Sequence, residues 1–126
     1  SPLAGLTKLK KLELIDNPIT NLTPLAGLTQ LTELWLSGNL ITDVSPLAGL
    51  SRLETLDLNM NQITDITPLA ELTNLKILWL SDNQIANVMP LAKLTKFRTL
   101  YLARNPIPDD QKAMLRKALP NCEIEF

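Results

Sequence analysis

The stretch LTELWLSGN, which runs from Leu31 to Asn39, decides the fold of this chain. The pattern occurs five times at a fixed spacing of 22 residues, and the other copies read LKKLELIDN, LETLDLNMN, LKILWLSDN and FRTLYLARN. A fixed period of this length indicates a repeat architecture in which each copy forms one structural unit. Because side chains alternate across a strand, each L-x-L segment buries its two leucines and exposes the residue between them.

The same period aligns the remaining apolar residues into columns. A single copy cannot bury its leucines, but copies stacked on both sides can, so the columns predict one continuous core. An isoleucine column closes this core behind the strands: Ile19, Ile41, Ile63, Ile85 and Ile107.

One polar column lies on this inward path, and it consists of Asn17, Asn39, Asn61, Asn83 and Asn105. A buried amide is costly unless it is hydrogen-bonded. We therefore expect a structural asparagine ladder that bonds the turning backbone of neighbouring copies, in preference to contact with a ligand or metal.

The segment that returns to the next strand reads TPLAGLT or SPLAGLS in the second and third copies. Proline favours the first turn of a helix, whereas glycine weakens a helix within about a turn. We expect short 3₁₀ or single-turn helices on the convex side, with N-caps at Thr23, Ser45 and Thr67. An Asn or Asp precedes each of these turns and suits a side-chain-to-backbone hydrogen bond, and these residues are Asn21, Asp43, Asp65 and Asn87. The alternative is that the same column forms a ladder of calcium ligands.

The final segment departs from the repeat and predicts a cap. Residues 109–119 carry an apolar stripe at helical spacing, made of Gln111, Met114, Leu115, Ala118 and Leu119. The ending NCEIEF predicts a sixth strand with Cys122 as a small core residue, since Cys122 and Ile124 fall 22 residues after Leu100 and Leu102.

These elements predict one α/β solenoid domain over residues 1–126, with five repeats at 1–108 and a cap at 109–126. We expect a right-handed coil with a six-stranded parallel sheet on the concave face and short 3₁₀ turns on the convex face. The other end has no such cap, so that Leu3, Leu6 and Leu9 lack an upstream neighbour. Either a native segment precedes Ser1, or this end associates with another copy.

The repeat L-x-x-L-x-x-L-x-x-L-x-L-x-x-N-x-I-x-D-I-x-P resembles the 22-residue class of leucine-rich repeats. Bacterial internalins and regulatory subunits of protein phosphatase contain this class, and residues 47–68 match it almost perfectly. The ending NPIPDDQKAMLRKALPNCEIEF is similar to the terminal caps of bacterial leucine-rich repeat proteins. The resemblance implies a curved solenoid that binds proteins through its concave strand face, although such a motif specifies fold more strongly than function.

Composition excludes several classes of function. The chain contains no histidine, which removes His-based triads and His metal sites, and no phosphate-binding glycine loop follows a strand. We expect no enzymatic activity, no cofactor and no metal. A net charge of −1 argues against a nucleic-acid partner, and no apolar run approaches the roughly 20 residues that insertion into a membrane requires. Secreted, cell-surface and cytoplasmic locations all stay open.

The candidate binding site is the concave face. Its central column reads Glu13, Trp35, Asp57, Trp79, Tyr101 and Glu123. Strands lie about 4.8 Å apart, which predicts exposed tryptophan rings roughly 10 Å apart across Asp57. Tryptophan and tyrosine are enriched in binding hot spots, so we predict a protein partner here. The full candidate set is Glu13, Trp35, Asp57, Met60, Ile77, Trp79, Tyr101 and Arg104.

Two further expectations concern this face. Acidic residues are frequent in the early copies, while Lys76, Arg98 and Arg104 mark the later ones, a gradient that would orient a partner. Asp57 is expected to favour a basic or hydrogen-bond-donating group. The alternative is that aromatic residues only cover the sheet, as their strand preference allows. The chain would then be a spacer or a designed consensus scaffold with no specific ligand.

Overall fold

The computed structural model describes residues 7–126, and within them six three-residue strands form one parallel sheet in chain order. The strands are β1 Lys11–Glu13, β2 Glu33–Trp35, β3 Thr55–Asp57, β4 Ile77–Trp79, β5 Thr99–Tyr101 and β6 Glu123–Glu125. From β1 to β5, every residue pairs with the residue 22 positions later, as Leu12 does with Leu34. The sequence period is therefore the register of the sheet, and the predicted leucine-rich coil is confirmed.

Four 3₁₀ helices lie on the convex side of the described chain: Thr23–Leu25, Ser45–Leu47, Thr67–Glu71 and Met89–Leu91. The predicted short turns are confirmed, but the predicted N-caps are wrong by one residue. Thr23, Ser45 and Thr67 are the first helical residues, and the buried Leu22, Val44 and Ile66 hold the cap positions without a side-chain bond.

Side chains two residues earlier take over the capping. The backbone N–H of Ser45 donates to the carboxylate of Asp43 at 2.9 Å, and the N–H of Thr67 donates to Asp65 at the same distance. Asn21 and Asn87 accept from Thr23 and Met89 in the same way. This role accounts for an Asn or Asp in every copy without a calcium ion.

The core extends along the whole stack between the sheet and the 3₁₀ helices. Leu34, Leu56 and Leu78 are fully buried in the strands, and the isoleucine column behind them is buried from Ile41 onward. Full burial of one such side chain contributes about 2 kcal/mol, so stability is spread over many equivalent leucines. In the first copy Leu9 is only partly buried, while Leu3 and Leu6 lie outside the described residues. Self-association through that end stays a prediction.

The asparagine column ties each coil to the one before it. The amide of Asn61 donates to the carbonyls of Leu58 in its own coil and Leu36 in the preceding coil, both at 3.1 Å. Its Oδ1 accepts from the N–H of Ile41 at 3.0 Å. Asn17 differs, since it is exposed and donates to a carbonyl of its own turn. The full pattern repeats at Asn39, Asn83 and Asn105.

The cap consists of helix α1, Asp109–Ala118, followed by β6. Leu115 is fully buried, whereas Met114 is 49% exposed and Ala118 is exposed, so the predicted apolar stripe is wrong for these two. Only one side of this ten-residue helix meets the stack, so fewer of its residues point inward than the predicted apolar stripe required.

The register of β6 also differs from the prediction. Leu100 pairs with Ile124, which lies 24 residues later rather than 22. The cap helix inserts two additional residues, so Ile124 takes the position predicted for Cys122. As a result Glu125, and not Glu123, lies beside Tyr101 in the central column. Cys122 is half-buried and packs against the edge of the core.

Candidate functional site

The concave face brings the central column together. Trp35, Asp57, Trp79 and Tyr101 are neighbours in the sheet register, and Glu13 precedes them opposite Trp35. Each lies between two strand leucines that point into the core, so its own side chain faces outward. The three aromatic side chains are half-buried, which differs from the exposed column that was predicted.

The rings of Trp35, Trp79 and Tyr101 form a continuous row, which we call the aromatic row. The centroids of Trp35 and Trp79 are 5.2 Å apart with the planes tilted by 37°. Trp79 and Tyr101 stack almost parallel, at 5.4 Å and 4°. The predicted separation of roughly 10 Å is wrong for the tryptophan rings, because strand spacing sets the Cβ positions but leaves long side chains free to lean together.

Asp57 lies beneath the contact between the two tryptophans. It is 8% exposed, and its Oδ1 accepts from the N–H of Asn59 at 3.0 Å while the hydroxyl of Ser37 donates to the same carboxylate. Burial raises the pKa of Asp57 above the ordinary value of 3.8, and the two hydrogen bonds oppose this shift without cancelling it. Asp57 is therefore a covered carboxylate and not the open acidic position that was predicted.

Polar side chains lie beside the aromatic row, at positions just after the carboxyl ends of the strands. Ser37 and Ser81 are buried there, and the side chain of Asn59 accepts from the N–H of Ser81 at 2.8 Å. The indole Nε1 of Trp35 is also buried, yet it has no hydrogen-bond partner within residues 7–126. Buried polar atoms usually have partners, so this free donor is an exception on the face.

The turns after the strands form one rim of the concave face. Each copy has one residue there with a left-handed backbone: Asp16, Gly38, Met60, Asp82 and Arg104, with φ between 55° and 74°. Met60 is 53% exposed at this rim. Arg104 donates from Nε and Nη2 to the two carboxylate oxygens of Asp82, at 2.6 and 2.8 Å.

The other two residues of the predicted binding set, Ile77 and Glu13, lie outside the aromatic row. Ile77 is half-buried on β4 beside Thr55 and Thr99, and Glu13 is exposed in an ion pair with Lys11 at 3.2 Å. Two residues outside the candidate set also line the face: Ile15, which is 42% exposed, and Glu125. The 22-residue period places Ile15 directly after the second leucine of its strand segment, in the same column as Ser37 and Ser81, whereas only the register of the cap identifies Glu125.

Charge along the stack is more balanced than the predicted gradient. Lys76 pairs with Glu54 of the preceding copy at 3.0 Å, and Arg104 pairs with Asp82 of its preceding copy. Because opposite charges meet across neighbouring coils, the basic residues of the later copies are largely compensated locally.

The described residues offer little support for a reactive thiol, a metal site or a membrane-spanning helix. Cys122 lines a small cavity with Phe97 and Leu119, and burial raises the pKa of its thiol, which disfavours the reactive thiolate. Over residues 7–126, no group of three or more His, Cys, Asp and Glu side chains has a geometry suited to a metal ion. Of the helices that the structure describes, none has the length and apolar character that crossing a membrane demands.

Comparisons with known proteins place this geometry in a family. The profile described as leucine-rich repeats (2 copies) matches residues 29–71 and 73–113. No curated protein matches the chain at a significant level.

Three solved structures are similar over nearly the whole chain. An internalin of Listeria monocytogenes (InlF) is 36% identical with a TM-score of 0.91, covering 98% of this chain and 36% of the internalin. Internalin C2 of the same organism is 44% identical with a TM-score of 0.75, covering 97% and 62%. A leucine-rich repeat protein of Leptospira interrogans is 36% identical with a TM-score of 0.91, covering 98% and 33%.

The chain thus spans from 33% to 62% of the length of these three proteins. The profile covers well over half of the chain, and the neighbours share its coil, its parallel sheet and its repeat. This chain belongs to the leucine-rich repeat family, and within that family it is similar to bacterial internalins.

Proposed function

We propose that this chain is a non-catalytic module that binds a protein partner on its concave face through the aromatic row. Leucine-rich repeat domains typically act in protein interactions. The observation that carries it is the position of the rings. Both tryptophans and the only tyrosine of the chain meet in one contiguous row on the outward face of the sheet.

The rigidity of the row favours binding. Its side chains stand on a parallel sheet whose coils are bonded to one another through the asparagine ladder, so the backbone positions that carry the rings are set before a partner arrives. Aromatic side chains have few rotatable bonds and lose little conformational entropy on contact. Ile77 and Met60 extend the apolar area beside the row, and Arg104 with Asp82 supplies a polar rim. An apolar centre with a polar rim is typical of protein interfaces.

A second reading has its own supporting observation. The rings already bury part of their area against one another, and Trp79 is covered on both sides by Trp35 and Tyr101. A spacer domain, natural or designed, would need such a row only to shield the sheet. The two readings differ in whether loss of the rings changes binding or only stability.

Paired capture experiments separate these readings. The wild-type chain and the Trp35→Ala/Trp79→Ala variant would be immobilised beside a convex-side control, Glu71→Gln, and each captured protein would be identified and purified. Calorimetry should then show a loss of about 2 kcal/mol per tryptophan, roughly 30-fold in Kd each. The control should bind like wild type. A purified partner that keeps its affinity for the folded double variant would contradict the concave-face proposal.

A further inference from the structure

We infer that Asp57, Trp35 and Trp79 form a receptor site for a guanidinium group, which an arginine of the partner would insert between the two indoles. This inference rests on the proposed function, because the arginine belongs to a protein bound on the concave face. It goes further by naming the chemical group that the centre of the face recognises.

The carboxylate of Asp57 lacks a counter-charge. It is almost fully covered, it accepts hydrogen bonds from the backbone of Asn59 and the hydroxyl of Ser37, and none of the ion pairs among residues 7–126 includes it. A buried carboxylate is stable mainly when it is paired, and its two oxygens can accept about four hydrogen bonds. Asp57 therefore has both uncompensated charge and unused acceptor capacity.

The two indoles flank this carboxylate in the sheet. Trp35 pairs in register with Asp57 on one side and Trp79 pairs with it on the other, while their rings meet 5.2 Å apart above it. Indole is the side chain with the strongest attraction for a cation over its face. A cation between the rings would contact two indole faces and one carboxylate together.

The two rings are held unequally. The ring of Trp79 is stacked on Tyr101 with an angle of 4° between the planes, whereas the ring of Trp35 contacts Trp79 at 37°. The Nε1 of Trp35 has no hydrogen-bond acceptor in the described chain. No hydrogen bond therefore fixes Trp35 in its covering position. Rotation of Trp35 alone would open the slot above Asp57, with Trp79 as the stationary wall, and would expose the indole N–H to solvent or to the partner.

The geometry favours a guanidinium over an ammonium. A guanidinium is planar and weakly hydrated, stacks on aromatic faces, and offers parallel N–H donors that match a carboxylate. An ammonium is a compact and strongly hydrated charge that gains less from a flat slot between rings. Arginine is also among the residues most enriched at binding hot spots.

The test uses short peptides so that no protein partner is needed. Acetyl-Gly-Arg-Gly-amide would be titrated into the chain while the Nε1 resonances of Trp35 and Trp79 are followed by NMR. Its citrulline analogue, which has the same shape without the charge, is the neutral control, and a lysine analogue supplies an ammonium. Saturable shifts should appear with the arginine peptide, with a Kd at least about tenfold lower than that of either analogue.

Two variants locate the site. Asp57→Asn preserves the shape and should abolish the preference for arginine over citrulline, whereas Glu33→Gln, which removes a neighbouring acid on β2, should keep it. Equal binding of the arginine and citrulline peptides, equal binding of the lysine peptide, or an unchanged preference in folded Asp57→Asn would each overturn the inference. Those results leave the proposed function intact if a captured partner still requires both tryptophans. Conversely, a partner that ignores the tryptophans would refute the proposed function whether or not the arginine peptide binds.

Discussion

The ring of Trp79 contacts Trp35 at 5.2 Å on one side and Tyr101 at 5.4 Å on the other, so one side chain links residues of strands that are not neighbours. In a parallel stack with a 22-residue period, each coil otherwise contacts mainly the adjacent coils. The contact between Trp35 and Trp79 passes over Asp57 and joins the second copy directly to the fourth. The central aromatic residue is therefore part of both the surface and the cohesion of the stack.

Trp79→Ala should therefore be more destabilising than Trp35→Ala, because it removes two aromatic contacts and not one. Each such pair is worth about 1 kcal/mol beyond simple burial, so we expect a difference of that order in the free energy of unfolding. Urea denaturation followed by far-UV circular dichroism measures both variants. Equal losses would mean that the stacked pair with Tyr101 adds no stability.

Asp57→Asn should make the folded chain more stable at neutral pH. The pKa of Asp57 is raised in the folded state, so the native state holds the proton more tightly and the ionised carboxylate is destabilising. The difference between variant and wild type should shrink as the pH falls through the folded pKa of Asp57 and vanish below the unfolded value near 3.8. Urea midpoints measured across this range check the sign.

Asp65→Asn serves as the control of opposite sign. Hydrogen bonds from Thr67 lower the pKa of Asp65, so its carboxylate contributes stability above the unfolded pKa and loses it as the pH falls through the lowered value. Because Asp65 is fully exposed, we expect only a small effect. A pH profile for Asp57→Asn that runs parallel to that of Asp65→Asn would show that Asp57 is not a buried, unpaired carboxylate.

Asn61→Leu should destabilise the fold by about 2 kcal/mol or more, since it leaves the buried N–H of Ile41 without its acceptor. It also removes one of the two amide donors from each of the carbonyls of Leu36 and Leu58, which keep their bonds from Asn39 and Asn83. Asn17→Leu is the matched control, because that side chain is exposed and bonds only within its own turn in the described structure. Chemical denaturation of the two variants should separate clearly. Similar midpoints would contradict the role of the column as a link between coils.

Gly38→Ala should cost about 1 kcal/mol, because Gly38 has a φ of 74° in the left-handed region. A Cβ there would also meet the side chain of Asp16, which is exposed and able to rotate away. Gly49→Ala is the control, since nothing lies within 4 Å of the added atom and its φ is ordinary. Thermal unfolding of both variants tests the difference, and a loss in Gly49→Ala equal to that in Gly38→Ala would refute the backbone explanation.

Leu115→Ala should destabilise the cap by about 2 to 4 kcal/mol, because Leu115 is fully buried against the end of the stack. The neighbouring Met114→Ala should be nearly neutral, as Met114 is half exposed. Hydrogen exchange should show the loss of protection first in the 3₁₀ helix Met89–Leu91, which α1 contacts, and in β6, which follows α1 in the chain. An equal loss of protection in β2, at the far side of the stack, would instead indicate that the chain unfolds as one unit.

Local sequence was sufficient for most of the fold. The 22-residue spacing of Leu34, Leu56 and Leu78 places each residue beside its equivalent, because a stacked coil turns a sequence period directly into a sheet register. The spacing also placed Trp35, Asp57 and Trp79 in one outward column, and proline with a preceding Asx residue predicted the 3₁₀ turns. The sheet features depend on contacts between residues one period apart, and the turns depend on contacts between residues only two positions apart.

The tertiary structure alone decided the features that this period does not govern. The 24-residue register of Ile124 depends on how far α1 extends before the chain returns to the sheet. The contact of Trp35 with Trp79 and the burial of Asp57 depend on the direction in which long side chains lean, and apolar rings lean together to leave water even when their Cβ atoms are far apart. The repeat period of the sequence fixes the backbone position of each side chain, whereas packing against its neighbours decides the conformation that the side chain adopts.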